Sequence, residues 1–326
     1  MIKDTKTVFV TGATGFIGRY LVDSLINEGF RVYVFTRNPG RYATQGERVK
    51  IITGDITQRI DLPGEIDVVY HCAGVISRED LMEDVNVHGT RMIADAALRR
   101  NCRLVHLSSA GVVGKTQEKN NIDEYTVCRP QSLYEKTKLE AERVIKERVA
   151  LGLKAQVLRP TIVFGAGRDP AKDSFFHLIA AIKSGRYRNI GSGGGIYNII
   201  HVSEVVHAMH ALDNDGIPNG GSYFINTPIS FREFASVVRA ATTGKADGAP
   251  TIPYSAAYCI AVLFSALSTV TGRKMPLTIS RLKALTDKRT FSQEHLLNAT
   301  GYRQLFSIDH YIKQVCQEYA EMGLLG

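Results

Sequence analysis

"VTGATGFIG", Val10–Gly18, sets Gly12, Gly15 and Gly18 at three-residue intervals behind the apolar run "TVFV", Thr7–Val10. "FIGRYLVDSLINEG", Phe16–Gly29, follows with the pattern of a helix. An extended run that turns into a helix within a few residues needs glycine where the chain bends, since a side chain would block the turn. The first turn of the helix then offers unpaired N–H groups and the positive end of its dipole, a setting that favours a pyrophosphate. The spacing is G-x-x-G-x-x-G rather than the G-x-G-x-x-G of the usual dinucleotide fingerprint. A glycine trio alone is common. Strand, loop and helix together make this one a nucleotide-binding turn.

Further along, short β-branched runs alternate with helical patterns: "RVYVFT" (Arg31–Thr36), "VKIIT" (Val49–Thr53), "DVVYHCA" (Asp67–Ala73) and "RLVHLSS" (Arg103–Ser109). A helix through "VHGTRMIADAALRR" precedes the last of these, and "QSLYEKTKLEAERVIKE" (Gln131–Glu147) and "KAQVLRP" (Lys154–Pro160) follow. Nearly all-apolar strands separated by helices indicate a parallel sheet covered on both faces. The fold class is α/β, a doubly wound parallel sheet of the Rossmann kind. After about Arg159 the rhythm changes to Gly-rich "GSGGG" and to helices at "VSEVVHAMHAL", "FREFASVVRAA" and "HYIKQVCQEYAEMG", with no regular strands expected between them. Residues 1–160 are expected to form the dinucleotide-binding domain. Residues 161–326 should form mainly a smaller substrate lobe that returns some segments to the sheet.

The 326 residues suffice for one large core and a lobe. The formal charge of +8 is spread without a block of like charges, which fits an anionic small molecule or phosphate-bearing cofactor as well as nucleic acid. Cys72, Cys102, Cys128, Cys259 and Cys316 are odd in number and lack a C-x-x-C pair, which argues for a reducing, cytoplasmic setting and against a zinc or disulfide framework. The N-terminus has no apolar run of signal-peptide length. "YSAAYCIAVLFSALSTVTG", Tyr254–Gly272, carries no charge but is short for a comfortable span, so it is expected to be a buried or lobe helix without stable membrane insertion.

Two features bear on chemistry. The second strand ends in "FTRNPGR", where an NAD site commonly presents an acid to the adenosine ribose. Thr36 and Arg37 stand there instead, with Arg41 nearby, and a cation would pair with the 2′-phosphate of NADP. Asp55 in "TGDIT" is placed either to meet the adenine edge or to cap a helix. "YEKTK" stacks Tyr134 and Lys138 on one helical face, one turn apart. A phenol and an ammonium so placed form either a proton-transfer pair or nothing.

"TGATGFIG", "GDI", "HCAG", "NVHGT", "LSSAGVVG", "YEKTK", "LRPTIVFG" and "HVSEVVHA" occur in this order between Thr7 and Ala208. Through them the chain resembles the extended short-chain dehydrogenase/reductases, the group of nucleotide-sugar epimerases, dehydratases and reductases. Beyond Ala208 the likeness is general, with "FSQEHLLNATGY" similar to the closing lobe of that group. The resemblance implies that Tyr134 moves a proton to or from the reacting oxygen and that Ser109, rather than Ser108, orients that oxygen. It also implies that Lys138 binds the nicotinamide ribose and lowers the phenol from its free value near 10. It places Thr14, Phe16 and Ile17 with the glycines on the cofactor, together with Ile56, Ala73, Gly74, Pro160 and Val163. Asn86 would brace the region. His71, His106 and His201 are expected to be satisfied structural histidines, and no metal site is expected.

Departures narrow the activity. Ala110 and Gly111 follow Ser109 where 4,6-dehydratases of the group carry Asp-Glu, which argues against dehydration. Pro160 and Thr161 replace the asparagine of UDP-galactose epimerases, and Val113 replaces their tyrosine. The leading expectation is an NAD(P)-dependent oxidoreductase acting on a sugar nucleotide, a 4-keto reductase or 4-epimerase. Arg37 favours NADP over NAD, and hence the reductase. Arg168, Arg186, Arg281, Lys288 and Arg289 favour a phosphate-bearing substrate. The alternative is a reductase of a 3β-hydroxysteroid or dihydroflavonol-type carbonyl, which "AAYCIAVLFSAL" resembles. A non-catalytic nucleotide-sensing or RNA-binding relative is a further alternative, opposed by the intact Ser109, Tyr134 and Lys138 and by the lack of interleaved aromatic and basic residues. The resemblance implies a homodimer, and no nucleic-acid partner is expected.

Overall fold

The β-branched runs pair side by side because each is too apolar to face water on either side. A computed structural model of the chain describes residues 5–41, 48–116, 121–245, 248–272 and 275–325. β1 (Thr7–Thr11) leads into α1 (Phe16–Asn27), followed by β2 (Arg31–Thr36), β3 (Val49–Thr53) and β4 (Val68–His71). α2 (Glu79–Met82) and α3 (Gly89–Arg99) flank a π-helical turn over Glu83–His88. β5 (Arg103–Leu107), α4 (Leu133–Val149) and β6 (Ala155–Pro160) come next.

Then follow β7 (Ile162–Phe164), α5 (Ser174–Lys183), β8 (Asn189–Ile190), β9 (Ile196–His201) and α6 (Val202–Ala211). β10 (Ser222–Ile225), β11 (Thr227–Ser230), α7 (Phe231–Thr243) and β12 (Thr251–Ile252) precede α8 (Tyr254–Thr271). α9 (Ile279–Thr286), α10 (Glu294–Thr300) and α11 (Ile308–Glu321) close the chain.

Among the described residues one seven-stranded sheet runs β10-β6-β5-β4-β1-β2-β3, parallel throughout. Alternate side chains take opposite faces. Val8, Val10, Val68, Tyr70, Val105 and Leu107 join the core under α1 and α6. Phe9, Val69 and Leu104 join the core under α3. The strand order reverses between β1 and β4, which opens a crevice at their carboxyl ends. The glycine loop and "HCAG" both end there.

The second half contains small strands between its helices, where none were expected, while the strand it adds to the main sheet is of the kind expected. β10 extends the main sheet, β11-β9-β7 form a second sheet and β12-β8 pair as a third. Most are two to four residues long, too short to show alternation between Gly-rich turns. Phe164, Phe175, Phe234 and Tyr197 stack in a separate core with α5, α7 and α11.

No helix among the described residues is long and apolar enough to cross a membrane. α8 belongs to the lobe but is not buried. Ala257 and Ala261 pack against Leu282, whereas Leu263 is 65% exposed and Tyr254, Tyr258 and Leu267 are also open.

Candidate active site

α4 starts where it does because Ser132 and Glu135 form a capping box. The Ser132 hydroxyl accepts from Glu135 N at 3.2 Å, and the Glu135 carboxylate accepts from Ser132 N at 3.1 Å. That start fixes Tyr134 and Lys138 on the face turned toward the end of β5. Both line a cleft of ≈ 760 Å³ with Ser109, Gly12, Gly15, Phe16, Ile17, Gly18 and Gly74, and with Pro160 and Val163 from the far wall.

The glycines of the loop have different tasks. Gly12 has φ +69, and a Cβ there would lie 2.4 Å from Ala73 N. A Cβ on Gly18 would lie 2.2 Å from Gly12 O, so close packing excludes a side chain at both positions. Gly15 is looser: its Cβ would meet only Gly12 O, at 3.1 Å. It is the N-cap of α1 without a side-chain cap, and the first turn holds no acidic residue. A helix start of this kind, open to a cleft and free of competing carboxylates, fits a dinucleotide's diphosphate.

Ser109 caps the 3₁₀ turn after β5 by accepting from Gly111 N at 3.1 Å, and it lines the cleft together with Tyr134. The Tyr134 phenol stands above its ordinary value because burial outweighs the lowering by Ser109. Lys138, expected to lower the phenol together with the cofactor's charged ring, is not among the causes of this shift. The Lys138 ammonium instead donates to Leu107 O at 2.6 Å. Burial brings its pKa down to about 8, with Glu142 opposing.

Several expected cofactor residues do not line the cleft itself. Thr14, Arg37, Asp55, Ile56 and Ala73 are not among the lining residues. Arg37 is exposed at the end of β2, with Nη1 4.0 Å from Asp55 Oδ2. Asp55 takes the N–H and hydroxyl of Thr57, both at 2.9 Å, so it caps a turn rather than a helix. Those bonds hold its carboxyl below the ordinary range. Ile56 is buried against Gly89, and Ala73 lies against Gly12. Arg41 has no described side chain.

Asn86 braces the crevice: its side chain exchanges hydrogen bonds with Val75 N (2.8 Å) and Val75 O (3.0 Å) and donates to Thr137 at 3.1 Å. His71 is satisfied between Thr11 (2.7 Å) and Thr90 (2.9 Å), and burial holds its pKa to about 3. His106 departs from expectation, because neither ring nitrogen has a partner among the described residues. His201 caps α6 through Nδ1 and leaves Nε2 without one. No cluster of His, Cys, Asp and Glu suited to a metal occurs among the described residues.

Sequence reasoning missed Glu142, two turns beyond Tyr134 on the same face of α4. It binds both Ser108 and Arg159. The i, i+8 spacing was legible, but the partners come from β5 and β6. Of the five basic residues read as a phosphate site, Arg168 and Arg289 line the cleft. Arg289 is engaged by Asp287 at 2.6 Å and by Gly114 O, whereas exposed Arg281 donates to Met275 O and Pro276 O.

A model of the NAD-dependent epimerase/dehydratase family matches residues 8–225. Mouse "sterol-4-alpha-carboxylate 3-dehydrogenase, decarboxylating" is 28% identical, the match covering 98% of this chain and 92% of that protein. A Stigmatella aurantiaca ketoreductase of a farnesyl dihydroquinoline oxide is 29% identical over 79% of this chain and 80% of its own length. The fold is that of UDP-glucuronic acid 4-epimerase from Bacillus cereus, with a TM-score of 0.74 at 18% identity and coverage of 97% and 99%.

Proposed function

The chain belongs to the NAD-dependent epimerase/dehydratase family, and within it we propose a net oxidoreductase for a secondary alcohol or ketone on a largely apolar substrate. The observation that carries this reading is one cleft holding Ser109, Tyr134 and Lys138 beside the glycine loop. A bound nicotinamide supplies or accepts the hydride. Ser109 holds the substrate oxygen, and Tyr134 gives its proton to that oxygen in reduction or, as phenolate, removes it in oxidation. Lys138 carries positive charge beside them and binds the nicotinamide ribose. Burial protects the phenol as the acid form, which suits proton delivery to a developing alkoxide.

The substrate class rests on the far wall. Ile76 and Ile162 line the cleft while 70% and 50% exposed, and Val113, Ile196, Phe231 and Phe291 continue the apolar surface. Apolar side chains left open on a cleft wall suit an apolar body placed against them. The likeness to a sterol oxidoreductase over nearly the whole chain, and to an isoprenoid-quinoline ketoreductase over about four-fifths of it, supports the same class. The dinucleotide is NADP with NAD as the alternative, on the strength of Arg37.

A nucleotide-sugar ketone or alcohol is the second reading, favoured by Asn198 and Arg168 in the same cleft. Turnover of NAD(P)(H) against a panel of sterol-like and isoprenoid ketones and alcohols and of UDP- and dTDP-sugars separates the two. Turnover of the sugar nucleotides alone overturns the apolar assignment. Tyr134→Phe should lower turnover by about two to four orders of magnitude with cofactor affinity unchanged. Near-normal turnover by that variant removes the proton-transfer role.

A further inference from the structure

Arg168 lies in the loop after β7 and brings a guanidinium into the cleft from the lobe side. Two side chains of α1 hold this loop: Arg19 donates to Gly167 O, and the Tyr20 hydroxyl to Ala166 O at 3.2 Å. The docked loop lays the guanidinium over the ring of Phe16, 4.2 Å from its centroid. Phe16 is the first residue of α1, immediately after the uncapped Gly15. Its ring shields one face of the cation and leaves the donor edge available.

Asp173 attracts that edge electrostatically but gives it no hydrogen bond. Arg168 Nε is buried without a hydrogen-bond partner among the described residues. The carboxylate of Asp173 is occupied by Phe175 N at 3.0 Å and by the Tyr319 hydroxyl at 2.9 Å. A part-buried guanidinium with unused donors is costly unless an anion completes it. It stands beside a helix start that also favours negative charge.

We propose that Arg168 is a diphosphate-binding residue, closing over the dinucleotide from the lobe while the N-terminus of α1 holds the same group from below. The inference rests on the dinucleotide reading of the cleft and adds to it a residue outside the glycine motif. It also makes cofactor binding a link between sheet and lobe, since the clamp acts through the loop that α1 holds.

Arg168→Met keeps a flexible apolar stem against Phe16 and removes the charge. Binding of NADP, NAD, ADP-ribose and adenosine to the full chain should be titrated calorimetrically for wild type and variant, with a thermal melt of each. Affinity for NAD and ADP-ribose should fall about tenfold to a hundredfold, the scale of a charge-assisted contact, and adenosine affinity should not change. Arg168→Lys should recover part of the loss, and added salt should weaken the wild type more than the methionine variant. Unchanged affinity for ADP-ribose, or an equal loss for adenosine, overturns the inference. A raised KM for substrate with cofactor affinity intact overturns it too and assigns the anion to the substrate. Wild-type protein that binds none of NADP, NAD and ADP-ribose removes the dinucleotide reading itself, so the two failures are distinguishable.

Discussion

Arg159 closes on Glu142 through two hydrogen bonds, Nε to Oε1 at 3.0 Å and Nη2 to Oε2 at 2.6 Å, with both side chains more than nine-tenths buried. The same carboxylate accepts the hydroxyl of Ser108. Glu142 therefore ties the ends of β5 and β6 to the helix that carries Tyr134 and Lys138. Ser109 and Pro160 are the next residues along each strand.

Removing one partner leaves a buried charge uncompensated. Glu142→Ala should cost about 3–5 kcal/mol in urea unfolding. The double variant Glu142→Met, Arg159→Leu should lose much less than the sum of the singles, because no charge is stranded. A loss below about 1 kcal/mol for Glu142→Ala would show that solvent or a rearranged partner replaces the tie.

The loop glycines divide into two kinds that mutation can separate. A Cβ on Gly18 meets backbone, Gly12 O at 2.2 Å and Ala13 Cα at 2.8 Å, with no flexible side chain to yield. Gly18→Ala should destabilise the protein by at least about 1–3 kcal/mol through overpacking. Gly15→Ala should melt within a few degrees of wild type, since Gly12 O needs to give only slightly. Its methyl enters the cleft, so NAD affinity should fall at least tenfold. Loss of folding in Gly15→Ala, or of binding without folding loss in Gly18→Ala, would reverse the assignment.

What the sequence revealed tracks the range of the interactions. The strand, glycine loop and helix are set by neighbours in the chain, and the Tyr134–Lys138 pair by one helical turn, so both were readable. Arg168 on Phe16 and Glu142 on Arg159 depend on contacts across the fold, and a list of basic residues gave no means to rank them. Arg289 lines the cleft and is also held by Asp287, two residues earlier. The small strands β7 and β9 were missed because their pairing is with each other and not with the main sheet.

Lys138 holds a charge where burial opposes it. Its pKa in the folded chain is about 8, below the value near 10.4 of an unfolded lysine. Below about pH 8 both states carry the proton and the burial penalty is complete. Between there and about pH 10.4 the unfolded chain keeps the proton that the folded chain has released, so folded stability rises with pH across that window. Lys138→Met lacks this titration and should be the more stable protein near neutral pH, by on the order of 3 kcal/mol less the lost bond to Leu107 O. Its advantage in urea melts should shrink from about pH 7 to about pH 10 while turnover stays abolished. An advantage independent of pH would show that Lys138 does not titrate in this window.

The proposed preference for NADP rests on Arg37, which stands 4.0 Å from Asp55, with side chains 66% and 34% exposed. The separation is loose and solvent screens it, so neither charge is committed to the other. The Thr57 hydrogen bonds keep Asp55 ionised at neutral pH. A 2′-phosphate arriving there meets an attractive guanidinium and a repelling carboxylate, whereas a 2′-hydroxyl meets a good acceptor. Arg37→Ala should weaken NADPH binding about tenfold to a hundredfold and leave NADH nearly unaffected. Asp55→Asn keeps an oxygen for Thr57 and removes the repulsion, so NADPH should bind more tightly and NADH less tightly. Titrating both cofactors at low and moderate ionic strength checks the charge dependence, which should appear with NADPH and be weaker with NADH. Equal losses for both cofactors in Arg37→Ala would make that residue structural. Tighter binding of NADH by the wild type would transfer control of the ribose to Asp55 and make NAD the cofactor.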